Sequence, residues 1–282
     1  MPPPLHPLPP LRDVIRDHDL SARKGLGQHF LFDLNLTARI ARQAGDITEG
    51  TTIEIGPGPG GLTRALLEQG AQVIAIEKDS RCLAALADVS AAWPGKLDIQ
   101  QHDALKIQVE TLGSAPRRIV ANLPYNIGTE LLVRWLTKPE AFTAITVMVQ
   151  KEVAERIAAG PGSKTYGRLS ILAGWRWTSK LMLDVPPQAF VPPPRVDSTV
   201  IHITPLLQPV ADANPDTLAR VTAAAFGQRR KMLRSSLKSL GDAEALCDTV
   251  GLDPTLRPEQ VSVKDFCALA RAVEAAEAKA AT

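Results

Sequence analysis

Asn122-Leu123-Pro124-Tyr125 is the segment whose residue types speak most directly of chemistry. A side-chain amide oxygen and a neighbouring backbone carbonyl can accept both hydrogens of an aromatic amine. Such an amine is a poor nucleophile, because its lone pair is delocalised into the ring. Two fixed acceptors pull the nitrogen toward a tetrahedral shape and aim the pair outward. Proline stiffens the turn and fixes the carbonyl direction. The tyrosine ring offers a stacking face to a base turned out of its helix. This is positioning for an in-line displacement, with no covalent intermediate and no required general base. Asn-x-Pro is also a common turn. The chain has only two tyrosines, however, and one follows this turn directly.

A second segment, EIGPGPGG from Glu54, stands where a strand should turn into a helix. Gly56, Gly58 and Gly61 satisfy the G-x-G-x-x-G pattern of loops that let the backbone approach an adenosine-containing cofactor. Alone, the loop serves a nicotinamide dinucleotide or S-adenosylmethionine equally well. Glu77 follows about twenty residues on, where an acidic side chain chelates ribose hydroxyls. It could otherwise be a solvated carboxylate opening the next helix. Asp103 can accept from the cofactor's adenine amine, or simply cap a helix. One acidic residue after each of two successive strands favours a nucleoside site. The Asn122 motif turns that site toward S-adenosylmethionine. A dehydrogenase, the rival on the same glycine loop, needs a histidine or a tyrosine–lysine pair and gives the motif no role.

The elements that must hold these residues alternate. Thr51–Ile55, Gln72–Ile76, Leu97–Gln101, Arg118–Ala121 and Ala144–Val149 read as strands, separated by runs with apolar residues at helical spacing. That predicts an α/β fold with a mostly parallel sheet and helices on both faces. With the glycine loop and the Asn122 motif placed on it, it resembles the Rossmann-like class I methyltransferases. Lys180–Val185 and Ser198–Thr204 follow as a candidate antiparallel edge. The proline-containing segment Pro205–Pro215 reads as a linker, and beyond it the pattern is only helical. Asn214-Pro215 looks like an N-cap with proline at the first helical position. Leu233, Leu237 and Leu240 form an apolar stripe ended by Gly241. The predicted organisation is a flexible proline-rich arm over 1–20, a cofactor-binding domain over 21–207 and a small all-helical domain over 208–282.

Composition narrows the setting. The 282 residues are 45% apolar, enough for a normal core, and no apolar run is long enough to span a membrane. Cys82, Cys247 and Cys267 are far apart, and the five histidines are scattered, so no metal site is expected. Reduced thiols point to the cytoplasm. Formal charge is only +2, so a nucleic-acid surface must come from local clustering. Arg229, Arg230, Lys231, Arg234 and Lys238 supply one on a predicted helix, where Arg230, Arg234 and Lys238 repeat every four residues. Arg12, Arg16, Arg23 and Lys24 add charge before the first glycine-rich turn. Such runs are usually solvated faces. An enzyme acting on a splayed RNA base does need phosphate contacts.

Taken together, the motifs resemble those of the rRNA adenine N6,N6-dimethyltransferases, specifically the bacterial small-subunit (16S) enzymes, from about Lys24 to Val263. The marks are LGQHFL from Leu26, EIGPGPGGLT, Glu77, Asp103-Ala104-Leu105, NLPYNI from Asn122, MVQKEVAERI from Met148 and YGRLS from Tyr166. FVPPPRVDS from Phe190 and FGQRRK from Phe226 complete them. The glycine loop is generic; the others together are specific. The resemblance implies that His29, Leu31, Gly56, Glu77, Asp103 and Asn122 line an S-adenosylmethionine pocket. It implies that Asn122 and the Leu123 or Pro124 carbonyl hold the target amine between Tyr125 and Phe190, and that Arg229, Arg230, Lys231 and Arg234 bind RNA. It further implies dimethylation of two adjacent adenosines in a hairpin loop near the 3′ end of 16S rRNA, on an assembling small subunit. For the oligomeric state, monomer is the default expectation. Most relatives carry asparagine where this chain has His29, whose charge would vary with pH. One competing reading is a large-subunit rRNA adenine methyltransferase, to which the long C-terminal segment with QRRK and the KxYGRLS stretch are less similar than to the small-subunit enzyme. Another is an assembly factor with vestigial activity, against which the intact acidic and Asn122 motifs argue.

Overall fold

Short β-branched runs become strands where the alternation predicts them. The computed structural model describes residues 8–280, the Lys24 side chain excepted. Its strands are β1 (Phe30–Leu31), β2 (Thr51–Ile55), β3 (Val73–Glu77), β4 (Leu97–Gln101), β5 (Arg117–Asn122), β6 (Ala144–Gln150), β7 (Trp177–Val185), β8 (Phe190–Val191) and β9 (Ser198–Pro205). Seven form one sheet in the order β4-β3-β2-β5-β6-β9-β7. The pairs β2·β3, β2·β5, β3·β4 and β5·β6 are parallel, and β9 runs antiparallel to β6. The sequence runs outward from β2 to β4 on one side, then returns to β5 and β6 on the other. Between β2 and β5 the departing loops therefore diverge and leave a crevice at the carboxyl ends of the strands. Both chemistry-bearing motifs leave from that point.

The chain divides into two compact units. The first holds residues up to Leu131, Glu140–Lys151 and Lys180–Ile203; the second holds Leu132–Pro139, Glu152–Ser179 and the chain from Thr204 onward. These bounds differ from the expected break at 207. In the first unit the central strands are apolar on both faces, and Ile53, Ile55, Val73, Ala75, Ile119, Ala121 and Val147 are all buried.

Residues 1–7 of the expected arm lie outside the described residues, but residues 11–20 are not an arm. Leu11–Asp17 is a helix, and Leu11, Val14 and Leu20 are buried, the last two packing with Cys82, Ala85 and Leu86. The buried Arg64 guanidinium donates to the Pro9 carbonyl at 2.8 Å. Apolar spacing at Leu11, Val14 and Ile15 carried the helical signal behind the prolines.

The second unit is helical. Pro215–Gly227 is capped as expected, Asn214 accepting from the Asp216 and Thr217 amides. It packs against Val263–Ala280, with Phe226 stacked 5.8 Å from Phe266. The basic run is not on one helix, and the expected stripe is broken. The helix stops at Gly227; Leu233–Ser236 is a single turn, followed by a 3-10 turn over Lys238–Leu240. The reason lies in the backbone: the Leu233 and Arg234 amides donate to the Leu256 and Pro254 carbonyls, so they cannot continue a preceding helix. All three cysteines are free and buried, Cys82 in the first unit and Cys247 and Cys267 in the second.

Candidate active site

One pocket opens at the switch point between β2 and β5. His29, Leu31, Gly56, Glu77, Asp103, Asn122 and Tyr125 all line it, together with Glu54 and the loop over 25–31. Gly56 and Gly58 sit at φ +66° and +55°, a region that side-chain-bearing residues rarely adopt. A Cβ at Gly56 would come within 3.3 Å of Pro124, and one at Gly58 within 3.1 Å of Phe30. The glycine loop is thus pressed between the Asn122 motif and β1, and its backbone forms the floor of a cradle that side chains would fill.

Glu77 is buried at the end of β3. Its two carboxylate oxygens accept from the backbone amides of Gly58 (3.0 Å) and Asp79 (2.7 Å). Burial raises its pKa, and those hydrogen bonds oppose the rise. It therefore shapes the glycine loop as well as facing the pocket. Asp103 combines both readings offered by the sequence. One oxygen caps the Leu105 amide at 3.0 Å, and the other accepts from the exposed Lys78 ammonium at 2.9 Å, which with the cap holds its pKa low. An exposed partner of that kind is easily exchanged for a ligand amine.

Asn122 donates through Nδ2 to the His29 carbonyl at 3.3 Å. A carbonyl only accepts, so the amide orientation is chemically fixed and Oδ1 is left as an acceptor. The Pro124 carbonyl already accepts from the Ile127 and Gly128 amides of the following helix. Tyr125 bonds through its hydroxyl to the buried Ser198 Oγ at 2.5 Å, which fixes the ring's tilt. Phe190 is not among the pocket-lining residues. It is buried opposite Leu31 in a short antiparallel ladder, with its ring edge-on to His29 at 6.4 Å between centroids.

Three features escape motif reading. Glu54, one residue before the loop's first apolar step, is fully buried with Oε2 unpartnered, and burial pushes its pKa up to about 8. A buried acidic residue inside an apolar strand was the available signal. Asp79 is clamped by Arg81 and by Gln28 Nε2 at 3.0 Å, which lowers its pKa to about 2, the Arg81 hydrogen bond being the largest cause. Arg81 also reaches the Ser21 carbonyl at 3.1 Å, so this cluster ties the 21–28 segment to the end of β3. Arg229, expected on an RNA face, instead bridges Glu259 at 3.0 Å and the Lys164 carbonyl within the second unit, while Arg230, Lys231 and Arg234 are exposed. No sequence signal predicts partners so far along the chain.

Glu54 yields a pH prediction. Its folded pKa of about 8 stands above an unfolded value of roughly 4.3, so the folded state favours the neutral acid. Its contribution is fully present below the unfolded pKa and is lost as pH rises toward 8. Glu54→Gln should therefore flatten stability between about pH 4.5 and 8, by a few kcal/mol at the alkaline end. Parallel pH profiles of the two proteins in urea denaturation would contradict this.

Comparison with known proteins places the chain in context. The family profile described as "Ribosomal RNA adenine dimethylase" matches residues 19–274. A "Ribosomal RNA small subunit methyltransferase A" of Rhodospirillum rubrum is 62% identical over 270 residues, covering 95% of this chain and 94% of that protein. Its namesake in Paramagnetospirillum magneticum is 59% identical over 95% and 96% of the two chains. Among solved structures, a dimethyladenosine transferase from Plasmodium falciparum superposes with a TM-score of 0.68 at 24% identity, over 86% of this chain and 96% of that one. The 23S rRNA methyltransferase ErmE superposes with a TM-score of 0.61 at 23% identity, over 87% and 99%. Both structural likenesses bear on the fold, which is that of the class I methyltransferases.

Proposed function

The chain belongs to the ribosomal RNA adenine dimethylase family, and from that premise we propose that it methylates N6 of two adjacent adenosines in a hairpin loop near the 3′ end of 16S rRNA, giving N6,N6-dimethyladenosines. S-adenosylmethionine supplies the methyl group, carried on a sulfonium. The pocket suits it: a glycine cradle for close backbone approach and two carboxylates at nucleoside spacing. His29, Leu31, Gly56, Glu77, Asp103 and Asn122 are the residues we assign to its binding.

The observation that carries the reading is the fixed Asn122 amide. With Nδ2 engaged by the His29 carbonyl, Oδ1 accepts one hydrogen of the target amine. Because the Pro124 carbonyl is already used, the Leu123 carbonyl is the second acceptor. The amine is thereby held with its lone pair toward the pocket, and its proton becomes acidic and leaves once the nitrogen is alkylated. Tyr125, braced by Ser198, stacks on one face of the base, and Phe190, buried edge-on against His29, backs the site from behind the pocket wall. The test is mass mapping of 16S rRNA from cells lacking the gene. The two adenosines should be unmodified and should regain their methyl groups on complementation; their persistence as dimethyladenosines in the deletion would overturn the assignment.

We assign RNA holding to the helical unit. Arg230, Lys231 and Arg234 contact phosphate, and Arg229 is the internal strut that sets their loop. The substrate on this reading is an assembling small subunit, met in the bacterial cytoplasm by a monomer. Among the described residues no helix is long and apolar enough to cross a membrane. Replacing Arg230, Lys231 and Arg234 together by alanine should weaken subunit binding and lower the slope of log affinity against log salt by roughly 2–3, with adenosylhomocysteine binding retained. An unchanged slope counts against these contacts.

A further inference from the structure

The pocket loop over residues 25–31 and the segment after Val185 that carries Phe190 meet at three consecutive positions. Phe30 pairs with Val191 and Leu31 with Phe190 in the β1·β8 ladder. One residue earlier, His29 Nδ1 lies 2.7 Å from the Pro192 carbonyl. A carbonyl cannot donate, so Nδ1 carries the hydrogen, and the side chain extends the ladder by one bond. The imidazole also touches both aromatic rings of the site, at 5.3 Å from Tyr125 with 31° between planes and at 6.4 Å from Phe190 edge-on. The main-chain carbonyl of the same residue holds the Asn122 amide.

We propose that His29 is a positioning residue: its Nδ1–H clasps the Pro192 carbonyl, so that a cofactor seated against residues 29–31 also sets Phe190 and Asn122 for the target base. The inference rests on the functional reading above and adds a coupling between the two ligands. Two-residue strands give a ladder with few main-chain bonds, and such pairings are marginal on their own. A side-chain bond at the next position is therefore a large share of what joins the two segments. An asparagine Nδ2 stands as many bonds from the main chain as histidine Nδ1, so asparagine can supply the same donor. That gives the departure at His29 a physical meaning. The ring is dispensable, and the donor is the requirement.

Coupling of this kind is reciprocal and is read as a ratio of affinities. The affinity of unmethylated small ribosomal subunits, taken from cells lacking the enzyme, is measured with and without saturating adenosylhomocysteine. In the native protein adenosylhomocysteine should tighten subunit binding about tenfold. His29→Asn should keep that ratio, while His29→Leu and His29→Ala, which lack a donor, should lower it to about twofold or less. Adenosylhomocysteine affinity is measured for each variant, and the subunit affinities are compared at a concentration that saturates that variant, so a change in cofactor affinity does not enter the ratio. A preserved ratio in the leucine and alanine variants overturns the proposal, and so does its loss in His29→Asn or its absence from the native protein. A native protein that binds no adenosylhomocysteine sinks the functional reading itself, an outcome separable from failure of the clasp.

Discussion

Asn122→Ala is expected to lower methyl transfer to the 16S rRNA by about 100- to 1,000-fold, the loss seen when one preorganised polar contact to a transition state is removed. The magnitude follows from the geometry. Alanine removes Oδ1, the acceptor left facing the pocket, and also the bond to the His29 carbonyl. The main-chain acceptor at Leu123 survives, so a residual rate should remain. The amine hydrogens would be half-supported, with the lone pair drawn back into the ring. β5 itself should persist, because Asn122 is its last residue and the bonds from Arg118 to Ala121 with β6 do not depend on the side chain. Single-turnover methylation of unmodified subunits, with melting curves to establish folding, measures the effect. Turnover within threefold of the parent would remove the amide from the mechanism.

The second large effect is expected at Glu77. Both carboxylate oxygens accept backbone amides, from Gly58 and Asp79, in a buried setting. Glutamine has the same shape but only one acceptor, so one amide must face an NH2 group. An unsatisfied buried donor costs about 1–3 kcal/mol, and two ribose hydroxyls lose a charged acceptor as well. Glu77→Gln should therefore weaken adenosylhomocysteine about 100-fold or more. Titration calorimetry checks it, and NADH serves as control: the native protein should bind the former and not the latter. Equal binding to native and variant protein would show that the nucleoside lies elsewhere.

Much of this architecture was legible in the sequence, for reasons of periodicity. Strands such as Thr51–Ile55 and Ala144–Gln150 are buried on both faces, so their β-branched runs are nearly continuous and bounded by glycine or charged turns. Gly56, Glu77, Asp103 and Asn122 were legible because each lies at or just past the end of a parallel strand, where local sequence and topology agree. His29 and Leu31, beside and in the antiparallel β1, were reached only through the family resemblance. What was hidden depends on partners distant in sequence. Nothing in two residues at 30–31 announces pairing with 190–191, and nothing in Asp79 announces Gln28. The basic run misled in the opposite way. Its four-residue repeat is a genuine helical pattern, but the amides of Leu233 and Arg234 are captured by carbonyls at 256 and 254, and tertiary bonding overrides local spacing. The Leu11–Asp17 helix was masked by composition, since flanking prolines dominate a window that short.

The placement of the three thiols bears on how this protein ages. Burial drives their pKa values up to about 12 at Cys82 and about 11 at Cys247 and Cys267, leaving almost no thiolate at neutral pH. Buried and protonated, these three sulfurs offer little to peroxide or electrophiles while the unit around each stays folded. Oxidative damage at these sulfurs can accumulate only through transient opening, so each half carries its own chemical record of how often it has come apart.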